Sequence, residues 1–105
     1  MKKYTKQYIS NLATSLEICD LHEDWSGIDA ILPIIEKIKK EKSVFIIEFD
    51  GKRDGVNDNG TYTIFIMGDH LLEKDILIRT DAYDLNEGLC YVIGTYADIF
   101  WQKFH

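Results

Sequence analysis

Two short runs of β-branched and aromatic residues, SVFIIEF at 43–49 and TYTIFIM at 61–67, flank a segment at 50–60 dominated by aspartate, asparagine and glycine. Such runs fold as strands, and turn chemistry of this length predicts an antiparallel hairpin with a long loop. Ile76, Leu77, Ile78, Arg79 and Thr80 predict a third strand. On either side the apolar period becomes helical. Tyr4, Tyr8, Ile9, Leu12, Ala13 and Leu16 form one stripe, with Lys6, Gln7, Ser10, Asn11 and Thr14 on its polar face. Ile28, Ile31, Leu32, Ile34, Ile35 and Ile38 form another. Ser26 and Asp29 make an S-x-x-D capping box that starts this second helix at Gly27, and the lysines at 37–42 suit its negative end. Pro33 predicts a kink, or an initial turn followed by the main helix. The connections are read at 20–24 and from Gly68 through Asp69 and His70.

Asp84 and Glu87 form a further capping pair, with Glu87 expected to reach back to Asp84. The helix they open runs towards Lys103 and is apolar around most of its circumference, the pattern of a helix packed on more than one side. Gly88 and Gly94 weaken it locally and point to close packing on the sheet. The order of elements gives an α+β fold in a single domain over residues 1–105: two N-terminal helices, a three-stranded antiparallel sheet and a long C-terminal helix packed on that sheet.

With 18 acidic residues against 12 basic, the formal net charge is −6. That field repels nucleic acid and anionic membrane, and favours a basic partner or plain solubility. A chain of 105 residues builds one core, leaving little room for a deep multi-substrate site. Lys2 and Lys3 are not followed by the apolar segment of a secretory signal. The longest uncharged apolar stretch, 88–97, is far short of the roughly 20 residues that span a bilayer. Cys19 and Cys90 are distant and outside any C-x-x-C arrangement, so they are expected as reduced, buried thiols in the cytoplasm.

Motifs for chemistry are sparse. No two of His22, His70 and His105 stand at a zinc-ligand spacing. His70 is the best placed of the three, with Asp69 beside it and Asp75 following, but no recognisable nucleophile elbow accompanies it. Asp50, Asp54, Asn57, Asp58 and Asn59 suggest calcium, yet registers starting at Asp50 or Asp54 both break the EF-hand pattern. Gly51, Gly55 and Gly60 make no phosphate-binding motif. Tyr96, Phe100, Trp101 and Phe104 read as a core stripe, with Trp101 and Phe104 expected to be partly exposed. No cofactor, metal or catalytic residue is expected.

The acidic residues stand above this background. Glu17, Asp20, Glu23, Asp24 and Asp29 occur with no lysine or arginine among them. Asp69, Glu73, Asp75, Asp81, Asp84 and Glu87 occur with Lys74 and Arg79. Rows of carboxylates of this kind steer and hold a basic protein. The stretch from Asp81-Ala82-Tyr83-Asp84-Leu85-Asn86-Glu87 to Tyr96-Ala97-Asp98-Ile99-Phe100-Trp101, with the size and charge of the chain, resembles the bacterial immunity proteins of contact-dependent inhibition and related systems. That resemblance implies a non-enzymatic, stoichiometric inhibitor of a basic toxin, such as a nuclease, acting as a monomer or weak homo-oligomer. Partner contacts are expected at Asp69, Glu73, Asp75, Asp81, Asp84 and Glu87, and at Asp20, Glu23 and Asp24, with the first set favoured. The alternatives are a small enzyme or ligand-binding module with a cleft around His70, and a homo-oligomeric interaction protein.

Overall fold

The computed structural model describes residues 4–51 and 61–101. Seven elements follow in order: α1 (Lys6–Ser15), α2 (Ile28–Lys40), β1 (Val44–Asp50), β2 (Thr61–Met67), α3 (Asp69–Glu73), β3 (Ile78–Ala82) and α4 (Leu85–Phe100). This is the expected α+β arrangement with one added element, α3. Asp54, Gly55, Asn57, Asp58, Asn59 and Gly60 of the hairpin loop lie outside the described residues, as do Lys103, Phe104 and His105.

The three strands form one sheet in the order β1-β2-β3, antiparallel throughout. Phe45 pairs with Ile66 and Ile47 with Ile64, while across the other side of β2 Ile64 pairs with Thr80 and Ile66 with Ile78. Alternation along each strand puts these residues on one face. That face carries the core. Ile64 and Ile78 are fully buried there, together with Ile9, Leu12, Ile31, Ile34, Ile38, Leu89, Val92, Ile93 and Tyr96 from the helices. Full burial of such an aliphatic side chain contributes roughly 1.5–3 kcal/mol. α4 lies across β2 and β3 and packs against α1, while α2 packs on β1. α4 is thus held between sheet and helix, as its broad apolar circumference requires.

Gly88 and Gly94 mark its two tightest approaches. A Cβ on Gly88 would stand 2.8 Å from Ile64 Cδ1 and 3.3 Å from Ala82 Cβ, on the sheet as expected. A Cβ on Gly94 would overlap the Tyr4 ring instead, so this glycine serves the N-terminal segment. Tyr4 and Tyr8 both donate to Asp98, at 2.5 and 2.7 Å, and tie α1 to α4. Ser10, expected on the polar face of α1, is buried and donates to the Leu21 carbonyl.

The start of α2 differs from the capping box. Gly27 is its N-cap, at φ 83°, without a side-chain cap bond. This left-handed conformation favours glycine. Ser26 Oγ accepts from Asn86 Nδ2 at 3.2 Å, and Gly27 N–H donates to Asn86 Oδ1 at 2.9 Å. The helix runs unbroken through Pro33, which is exposed, so the hydrogen bond that proline removes is lost on the solvent side.

α3 occupies the stretch read as a connection. Its only buried residue is Leu71, so no helical period was visible. α3 closes on Asp75, at φ 56°, with Asp75 N–H donating to the Leu72 carbonyl at 3.0 Å and Ile76 N–H to the Leu71 carbonyl at 2.9 Å. This Schellman closure takes up the Ile76 amide, which moves the start of β3 to Ile78 rather than Ile76.

Candidate protein-binding surface

Every acidic residue expected to meet a partner is exposed. Asp69 and Glu73 begin and end α3, and Asp75 follows at its closure. Asp81 lies on β3, Asp84 is the N-cap of α4 and Glu87 sits in its first turn. These six therefore surround β3, an edge strand of the sheet. Two of them have structural work. Asp84 accepts from the Asn86 and Glu87 amides at 2.8 and 3.3 Å, while Asp81 accepts from Thr63 Oγ1 at 2.6 Å and lies 3.6 Å from Arg79. The carboxylate of Glu87 makes no return bond to Asp84 among the described residues; Asn86 next to it reaches across to Ser26 and Gly27 instead. Asp69, Glu73 and Asp75 carry their carboxylates in solvent with no ion pair among the described residues.

Asp20, Glu23 and Asp24 lie in the connection between α1 and α2, also exposed. This connection is anchored as well: Trp25 is buried, its indole N–H donates to the Lys6 carbonyl at 2.9 Å, and the Asp24 amide donates to His22 Nδ1 at 3.0 Å. The two bonds from Asn86 to Ser26 and Gly27 bring its end to the start of α4. Two acidic segments some sixty residues apart in sequence meet at that corner. No three His, Cys, Asp or Glu side chains among the described residues gather closely enough to hold a metal ion, so the carboxylates form a spread surface.

His70, half-buried, converges with other polar groups. Its Nε2 lies 3.0 Å from Ser43 Oγ and 3.1 Å from the Tyr96 hydroxyl. Tyr96 gives its one proton to Glu41 Oε1 at 2.7 Å, so it faces His70 with lone pairs, which suits a proton on Nε2. Glu41 also accepts from the Trp101 indole at 2.9 and 3.0 Å and lies 3.3 Å from Lys37 Nζ. Burial first, and with it the bond to Glu41, hold the Tyr96 hydroxyl far above its ordinary pKa. Ser43 is 5% exposed and Tyr96 fully buried. The cluster braces the end of α2, the start of β1, α3 and α4 against one another. Trp101, expected to be partly exposed, is 7% exposed because Glu41 binds its indole; the expectation for Phe104 lies outside the described residues.

Cys19 and Cys90 are free thiols. Cys90 is buried, and that burial pushes its pKa up to about 11, whereas Cys19 is half-buried. One cleft is lined by Thr14, Glu17, Cys19 and Asp20, and another lies between the residues that follow α1 and the Pro33 to Lys40 part of α2. No helix of the described residues is long and apolar enough to cross a membrane.

One feature escaped the sequence reading. The sheet face turned away from the helices carries Val44 and Met67, a directly paired couple that is 54% and 51% exposed. Ile46 and Phe65 pair beside them, half-buried yet outside the core cluster. Leu77, just before β3 and on the side of Arg79 and Asp81 by alternation, is 82% exposed. The alternate positions 44, 46, 65, 67 and 77 were the available signal.

Compared with protein-family models, with curated proteins and with solved structures, the chain matches none.

Proposed function

We propose that the chain is a stoichiometric protein inhibitor, an immunity protein that neutralises a basic toxin, with a nuclease domain as the favoured partner. The observation that supports this reading most is the set of six exposed acids around the edge strand β3, three of them with no ion pair among the described residues. A nuclease groove is lined with lysine and arginine to hold phosphates. Carboxylates on a rigid support occupy such a groove in place of the phosphates and accelerate the encounter through long-range attraction. α3, β3 and the capped start of α4 provide that support. The inhibitor acts where the toxin arrives, in the cytoplasm, and needs no cofactor.

The test uses a basic nuclease toxin whose gene adjoins that of this chain, purified and assayed for nucleic-acid cleavage with and without this protein across a salt series. One-to-one inhibition should appear, with association slowing as salt rises, because screening acts over about 8–10 Å at physiological ionic strength. Reversing Asp69, Glu73 and Asp75 together should weaken binding far more than reversing Asp20, Glu23 and Asp24. Cleavage unaffected by the protein, or an affinity indifferent to salt and to both triple reversals, overturns the reading.

A further inference from the structure

We infer that the open face of the sheet is the centre of the docking surface, with the Val44, Met67 and Leu77 row seated on an apolar patch of a cationic protein. This inference rests on the inhibitor reading above and names the part of the surface that carries the affinity. Its first support is the pattern of the strands. An antiparallel sheet with one wet face alternates apolar and polar residues, whereas near-continuous apolar runs belong to sheets covered on both faces. β1 reads VFIIEFD and β2 reads TYTIFIM, close to continuous, and the described helices pack on the face that carries Ile64 and Ile78. Val44, Met67 and Leu77 remain more than half exposed on the other. Leu72, on the solvent side of α3 at the same end of the sheet, is 75% exposed.

The second support is the charge beside this row. Met67 leads through Gly68 into Asp69, and Leu77 follows Asp75 by two residues, so the carboxylates of Asp69, Glu73 and Asp75 border the apolar end of the face. Glu48 stands exposed further along β1; the nearby exposed cations are Lys42, Lys74 and Arg79, the last paired with Phe65 on this face and held 3.6 Å from Asp81. A desolvated apolar centre with a charged margin is the general anatomy of a protein interface, and here the margin is mainly anionic. The occupant is therefore a basic protein. A second copy would bring an equal net charge of −6 against it.

The experiment compares Met67→Gln, Leu77→Ser and their double variant with the Asp69, Glu73 and Asp75 reversal, in binding to the purified product of the adjoining gene. Both side chains are exposed, so thermal midpoints should stay near that of the unaltered chain, which verifies the fold. The double variant should lose affinity by about tenfold or more through faster dissociation, as loss of an interface centre does. Its salt dependence should remain that of the unaltered chain. The charge reversal should change association rate and salt dependence instead. Affinity within twofold of the unaltered chain for the double variant, with the reversal still damaging, overturns this inference and leaves the inhibitor reading standing. No binding by the unaltered chain overturns both. A dimer seen by sedimentation and abolished by the double variant assigns the face to a second copy and also overturns the inference.

Discussion

Asp84 shows how much one side chain contributes here. Its carboxylate takes the Asn86 and Glu87 amide protons, two of the donors that the first turn of α4 leaves without helical partners. Asp84→Ala should lower stability by about 0.5–2 kcal/mol, read as a shifted urea midpoint with an unchanged slope. An unmoved midpoint would remove the capping role. This role was legible because a cap and the amides it satisfies are neighbours in sequence. Asn86 was not legible, since its partners Ser26 and Gly27 lie sixty and fifty-nine positions away. Glu41, among the lysines of 37–42, was no more legible, although it receives Tyr96 and Trp101 from more than fifty positions away. Local spacing carries no record of such meetings.

At the scale of elements, α4 makes the most specific demand. Gly→Ala in a helix interior ordinarily gains about 1 kcal/mol. Gly94→Ala should do the reverse, because the new methyl overlaps the Tyr4 ring and displaces it from Asp98. In a Tyr4→Ala background the same change should become stabilising, and a thermal series over the four proteins measures that reversal of sign. Stabilisation by Gly94→Ala in both backgrounds would show that Tyr4 does not depend on this glycine. The elements with long stripes, α1, α2 and α4, and the two β-branched strands were visible in sequence because each buries several residues at a fixed period. α3 buries only Leu71 and shows no period. Helix ends were equally obscure: Glu17, Lys42 and Asp75 adopt positive φ just beyond α1, α2 and α3, positions where a glycine would have announced the stop. The apolar patch of the candidate surface was hidden for another reason. The alternate apolar positions 44, 46, 65 and 67 stood in the sequence, but which face of a strand remains open depends on where the helices settle.

For the whole molecule, stability should fall in alkali through the half-buried phenols of Tyr4 and Tyr8. Burial, and then the bond to Asp98, push the Tyr4 hydroxyl up to about 12, and the same two causes push Tyr8 higher still. A folded-state value raised above the ordinary one of about 10 means that the native protein holds the proton more tightly than the unfolded chain does. That contribution is complete below about pH 10 and disappears as the pH climbs through the raised values. The thermal midpoint should therefore drop from about pH 10 upward, and Tyr8→Phe should make the drop shallower. An identical pH profile for Tyr8→Phe would show that this phenol does not contribute to the decline. The Tyr4 and Tyr8 bonds also join the first described turn to the last helix, across 94 and 90 positions. A ribosome adds roughly 5–20 residues each second. α1 emerges first and then waits on the order of ten seconds for Asp98 to be made. During that interval α1 has Leu21 and Trp25 beside it but not α4, and both strands of the β1–β2 hairpin are made before Asp98 is. The bonds from Tyr4 and Tyr8 thus form only after all three strands have been made, and a stop codon a few residues ahead of Asp98 would release a chain whose first helix lacks that fastening.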